Sequence, residues 1–208
     1  MRTATTPIVE KFEQRRAELG EATLQTLATL GYARTSLREI AQNSAFTHGV
    51  LHYYFKDKTD LILCSVRQYK ARCVTRYDHL VDEATDGDVL LDGFLKTLGE
   101  TLRDEAPLHR LWYDLRSQAM FEEAFRDDVA LIDKSLEKMI WRVLSRVAAL
   151  RGVHGDLPTP SMAYATIDGL FEQALLRHLS GDRKAISVLK RDVGALLRCL
   201  LPSGAAAG

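Results

Sequence analysis

Residues 35–58 read TSLREIAQNSAFTHGVLHYYFKDK. Leu37, Ile40 and Ala41 recur at i, i+3 and i+4, the spacing of one helix face, and Thr35 or Ser36 can cap that helix by accepting a first-turn backbone N–H. Three or four residues of turn follow. Thr47 can then cap a second short helix, with Val50, Leu51, Tyr54 and Phe55 available for packing. Two short helices joined this tightly make a helix-turn-helix, whose second helix can enter a major groove about 12 Å wide. Opposite Leu51 and Phe55 lie Thr47, His48, Gly49, His52 and Tyr53, all able to touch bases or phosphates. Many helical proteins contain two short helices, so this spacing alone leaves a plain packing role open, for Tyr53 in particular.

Outward from this stretch the periodicity stays helical, with no sustained strand-type alternation. A first helix is expected over 7–30, with Pro7 in its first turn and Gly31 as its stop. Beyond the two short helices, 36–43 and 47–54, a long one is expected over 58–84, then others over 88–104, 107–120 and 126–150. Residues 151–160 hold two Gly and two Pro and read as a loop. Two last helices, 159–180 and 182–201, flank Gly181, and 202–208 read as a flexible tail. About nine helices and no strand predict an all-α protein. The expected division is a helix-turn-helix domain over 1–57 and a larger helical domain over 58–201.

The 208 residues carry 28 Lys and Arg against 28 Asp and Glu, a formal charge of zero. That neutrality argues against a nucleic-acid partner until it is resolved along the chain. Residues 31–76 are net +5 and residues 77–135 net −9. A basic segment can supply phosphate contacts, while the acidic one is expected to face away from DNA. No apolar stretch approaches the roughly 20 residues that span a bilayer, and no leader pattern opens the chain, so a cytoplasmic protein is expected. Cys64, Cys73 and Cys199 have no metal-like spacing and fit buried thiols in a reducing compartment.

Residues 19–61 resemble the DNA-binding region of the TetR family, the tetracycline-repressor-like regulators. The matching residues are Gly31, Tyr32, Thr35, Ser36, Leu37, Ile40, Ala41, Thr47, Gly49, Leu51, Tyr54, Phe55, Lys58 and Leu61, in order and about a fifth of the chain. The resemblance implies that Thr35 or Ser36, Tyr53 and Lys58 hold backbone phosphates and that Thr47, His48, Gly49 and Val50 approach base edges, with Arg38 at the groove rim. Two departures stand out. The usual Ala-Gly-hydrophobic turn is Ser44-Ala45-Phe46, where a left-handed alanine would cost about 1 kcal/mol. The usual Leu-Tyr is Leu51-His52, so an imidazole replaces a phosphate-contacting phenol; His52 can still donate to a phosphate.

His48 and His52 have metal-ligand spacing, but no third ligand and no HExxH accompany them, so no metal is expected. No phosphate loop, nucleophile elbow or paired carboxylates appear, so neither an enzyme nor a cofactor is expected. The middle helices are aromatic. Phe94, Trp112, Tyr113, Met120, Phe121, Tyr164 and Phe171, with Arg116 and Asp168 as polar fixers, are the candidates for a ligand cavity; each can equally be core. The last two helices carry an apolar stripe of Ile167, Leu170, Ala174, Leu175, Leu189, Val193, Leu196, Leu197 and Leu200. With Leu176 and Leu179 outside it, a homodimeric four-helix bundle is expected. The resulting expectation is a homodimeric repressor on a palindromic DNA operator, released by a small apolar or amphipathic effector and without a membrane partner. A helical small-molecule-binding protein or enzyme that does not bind DNA is the alternative.

Overall fold

The computed structural model describes residues 7–33, 35–153 and 157–201. The expected tail, His154 and part of the 151–160 loop lie outside them. Among the described residues there are nine α-helices and no strand: α1 Pro7–Leu30, α2 Leu37–Gln42, α3 His48–Tyr54, α4 Lys58–Thr75, α5 Asp78–Glu83, α6 Gly87–Gln118, α7 Arg126–Leu150, α8 Pro160–Leu179 and α9 Ala185–Leu200. A short 3₁₀ turn, Glu123–Phe125, precedes α7. None of these helices is long and apolar enough to cross a membrane.

The chain forms two compact units. The first holds α1 to α3, α4 as far as Arg72, and the stretch Arg110–Ile132. Its core is Leu19, Leu24, Leu27, Ile40, Leu51, Phe55, Leu61, Ile62, Val66, Leu111, Trp112 and Leu115. Gly31 ends α1 as read from the sequence: its φ of 74° is open to a residue without Cβ, and its N–H donates to Leu27 O at 2.9 Å. Arg16 ties α1 to the next elements, donating to Tyr54 O at 3.0 Å and Asp60 Oδ1 at 2.5 Å over the face of Phe55.

The second unit holds Cys73–His109, with α5 and most of α6, together with α7 from Asp133 onward, α8 and α9. Phe94, Leu98, Leu102, Ile140, Val143, Leu144, Ile167, Phe171, Leu175, Leu189, Val193 and Leu197 are buried in it. Gly181, at φ 86°, makes the reversal between α8 and α9, which pack on one another.

One helix expectation is corrected. The long helix over 58–84 is two, α4 and α5, because Tyr77 leaves the helical path (φ −99°, ψ 0°) and buries its ring 5.1 Å from that of Phe94. The two helices expected over 88–104 and 107–120 are the two arms of α6, which meet at a kink where Glu105 leaves helical geometry (φ −122°, ψ 18°). Pro107 explains the kink: it has no N–H for the carbonyl four residues back, and its ring crowds that carbonyl.

Candidate nucleic-acid interface

The two short helices are built by their caps. Ser36 Oγ accepts from Glu39 N at 3.2 Å at the start of α2, and Thr47 Oγ1 accepts from Val50 N at 3.3 Å at the start of α3. Between them Asn43 Nδ2 donates to Glu39 O at 2.8 Å, Thr26 Oγ1 to Asn43 O at 2.9 Å, and Phe46 N to Ser44 Oγ at 3.3 Å. These bonds carry the turn without a left-handed residue. No non-glycine residue among those described has positive φ, so the strain expected at Ala45 is absent.

Leu51 turns into the core, and α3 presents the other side outward: Thr47, His48, Gly49 and His52 are exposed, Val50 is half-buried and Tyr53 is 72% exposed. The His48 and His52 rings meet edge to face, centroids 4.3 Å apart. A Cβ on Gly49 would find nothing within 4 Å, so this face is open for close approach. Tyr53 stands against Phe12 and Tyr54 at 6.2 and 4.9 Å between centroids, which steadies its ring and leaves its hydroxyl end outside. Ser36 and Arg38 are exposed on α2. Thr35 is 4% exposed and its hydroxyl donates to Gly31 O, whereas Ser36 is exposed.

Lys58 opens α4 half-buried. Its ammonium donates to Tyr32 O at 3.3 Å and lies 4.2 Å from the centroid of the Tyr32 ring, a cation–π contact. Sequence reasoning left Tyr32 as a motif residue and missed this contact. Tyr32 N donates to Asp114 Oδ2 at 2.9 Å, its hydroxyl donates to Glu122 Oε2 at 2.7 Å, and its ring meets Phe125 edge-on at 5.1 Å. Burial and the Glu122 carboxylate together push the Tyr32 phenol up from its ordinary range. Arg67 pairs with Asp128, at 2.7 Å from Nη2 to Oδ2. Part of the acidic middle segment therefore packs inside the first unit rather than simply facing solvent.

The ligand candidates divide between the units. Trp112 is buried, and Tyr113 and Arg116 are half-buried, in the first. Met120 and Phe121 lie past the end of α6 at Gln118: Phe121 N donates back to Gln118 O at 2.9 Å, and both side chains are exposed, Phe121 81% so. The second unit holds Phe94, Tyr164 and Phe171, all buried, and half-buried Asp168. Tyr164 donates to Asp133 at 2.6 Å, and Phe171 meets the His109 ring at 4.7 Å. His109 belongs to a polar cluster that sequence reasoning missed. Its Nε2 is 3.2 Å from Thr101 Oγ1, while Arg76 binds Thr101 and reaches Glu105 Oε1 and Oε2 at 2.8 and 2.7 Å. Thr101, Glu105 and His109 recur every fourth residue along α6, a signal that was present in the sequence.

Of the dimer candidates, Ile167, Ala174, Leu175, Leu189, Val193 and Leu197 are buried within the single chain; only Leu170, Leu196 and Leu200 remain half-exposed. Most of the stripe is therefore buried within the second unit, where α8 and α9 pack on one another and α9 also meets α6 at Gly194 and Leu95. Among the described residues no group of three or more His, Cys, Asp or Glu is placed to hold a metal.

Known proteins place this architecture. Residues 19–63 match the family model of bacterial regulatory proteins of the tetR family. The chain is 40% identical over 182 residues to the HTH-type transcriptional regulator BetI of Paraburkholderia xenovorans, covering 83% of this chain and 88% of that protein. Its fold is similar to that of a TetR transcription regulator from Haloarcula marismortui, with a TM-score of 0.74 at 22% identity over 90% of this chain and 99% of that one. It is also similar to the transcriptional regulator FadR of Bacillus subtilis, solved in complex with stearoyl-CoA, with a TM-score of 0.68 at 18% identity over 88% of this chain and 97% of that one. A capped helix-turn-helix with an open second helix, on a chain this similar to a known regulator, identifies a transcriptional regulator: the chain belongs to the TetR family.

Proposed function

We propose that the protein is a ligand-responsive repressor that binds a palindromic operator as a homodimer. The observation that carries this reading is α3, whose Leu51 is buried while Thr47, His48, Gly49 and His52 form one exposed face. That helix enters the major groove, where Thr47, His48, Gly49 and Val50 approach base edges. Ser36, His52, Tyr53 and Lys58 hold phosphates, and Arg38 reaches the rim. In domain terms, residues 1–57 contact DNA, and residues 58–201 bind the effector and pair the subunits. The effector is a small apolar or amphipathic molecule. The buried aromatics Phe94, Tyr164 and Phe171, with half-buried Asp168 in the same unit, support this, and the FadR complex is an instance of such a guest in a similar fold. A molecule that prefers one separation of the two DNA heads shifts the population between bound and released forms.

The test is a gel shift with the duplex DNA flanking the protein's own coding region. Specific retention, competed by the same duplex and not by an unrelated one, is the expected result. Binding that does not discriminate between the duplexes rejects the regulator reading of α3. In the same assay Lys58→Ala should weaken all sequences alike and lower the slope of log affinity against log salt by about 1. A changed sequence preference contradicts the phosphate role.

A further inference from the structure

Lys58 is a flexible four-carbon side chain, and ordering it on a phosphate costs rotamer entropy. In this chain the ordering is done in advance. The ammonium is held by the Tyr32 carbonyl at 3.3 Å and by the Tyr32 ring at 4.2 Å. Of its three N–H donors the carbonyl uses one, which leaves donors for a phosphate. Gly31 aims the carbonyl, since its positive φ turns the chain out of α1 immediately before Tyr32.

Tyr32 is itself fixed at three points, all from the stretch 114–125. Asp114 on α6 accepts its N–H, Glu122 accepts its hydroxyl, and Phe125 packs on its ring. The same end of α6 also holds the end of α1, because Arg110 Nη2 donates to Ala28 O at 2.6 Å. We infer that Tyr32 is the positioning residue for the phosphate contact of Lys58, and that Asp114 and Glu122, by fixing Tyr32, couple the C-terminal end of α6 to DNA affinity. This rests on the DNA-binding reading proposed above. It goes beyond that reading in naming a residue that touches no DNA and the contacts through which its setting is altered.

The experiment is a double-mutant cycle on the full-length chain. Fluorescence anisotropy at several salt concentrations follows binding to a labelled duplex of about 30 base pairs, three helical turns, recovered from a random library by the wild-type chain. Lys58→Ala and Tyr32→Leu each lower the salt slope by about 1 and the affinity about tenfold, and the double variant binds no more weakly than Lys58→Ala alone. A merely structural Tyr32 leaves the slope unchanged and gives additive losses, and either result overturns the inference. Should Tyr32→Leu fail to fold, Asp114→Ala with Glu122→Ala decides, because it keeps both Tyr32 and Lys58. Removing two negative charges raises affinity for DNA in either background, so the readout is the difference between backgrounds. The pair costs about threefold or more in the presence of Lys58 relative to its absence. Equal effects in both backgrounds overturn the inference. If the wild-type chain recovers no duplex, or Lys58→Ala leaves the slope unchanged, the DNA-binding reading has failed and the inference falls with it. A normal Lys58→Ala response with additive Tyr32 effects removes the inference alone.

Discussion

Ser36 caps α2 with the same hydroxyl that the proposed reading sets against a phosphate. Its oxygen accepts the Glu39 N–H and so caps α2, while its hydrogen remains available for a phosphate. The two roles can be separated. Ser36→Ala loses both and should cost about 1 kcal/mol of stability as well as operator affinity. Ser36→Asp keeps a good cap, so stability should stay within about 0.5 kcal/mol, but its charge repels the phosphate and binding should weaken. Urea midpoints beside operator titrations check this; an aspartate variant that binds as well as wild type removes Ser36 from the interface. Tyr77 carries a prediction in pH. Burial pushes its phenol well above the ordinary tyrosine value, so the folded chain binds that proton more tightly than the unfolded chain. The contribution is therefore fully present below pH about 10, the unfolded value, and is lost as pH rises toward the folded one. The thermal midpoint should drop steeply above pH 10, and Tyr77→Phe should flatten that drop. Parallel alkaline limbs for the two proteins would assign the loss to other groups.

At the scale of elements, the sequence is most readable where structure is local. α1, α2 and α3 fall within a residue or so of their expected bounds, because Gly31, Ser36 and Thr47 stop and start helices through their own backbone and hydroxyl chemistry. The exposed row on α3 was readable for the same reason, since one buried Leu51 orients seven residues. Where tertiary burial decides, the reading failed. No Gly or Pro marks the break between α4 and α5; it follows from the burial of Tyr77 beside Phe94. Periodicity finds that Thr35, Ile167 and Leu175 belong to apolar or capping patterns, but not which surface those patterns face. The kink in α6 is an element-scale device with its own test. Glu105, out of helical geometry, is held by Arg76 from the turn after α4. Glu105→Ala should cost roughly 1.5–3 kcal/mol, the range for hydrogen bonds to a charged group. A urea midpoint unchanged from wild type would mean that Pro107 alone sets the kink.

For the whole molecule, the question is what remains for a second subunit once the α8–α9 stripe is used inside one chain. For the proposed homodimer, the exposed side of α8 offers such a surface. Leu176 and Leu179 are 62% and 42% exposed on the last turn of α8. Large exposed leucines three residues apart lie on one helix face and favour burial against another subunit. This separates two kinds of variant that the stripe alone would confuse. Leu175→Ala acts on the intramolecular core and should lower stability by about 2–5 kcal/mol in any oligomeric state. Leu176→Asp with Leu179→Asp should leave the helical content and the fold intact, convert the dimer to monomer, and weaken operator binding because two heads no longer engage one palindrome together. Sedimentation equilibrium distinguishes these outcomes directly. A Leu176→Asp, Leu179→Asp protein that remains dimeric would place the subunit contact on another face, and one that is monomeric yet binds the operator undiminished would remove two-fold symmetry from the recognition mechanism.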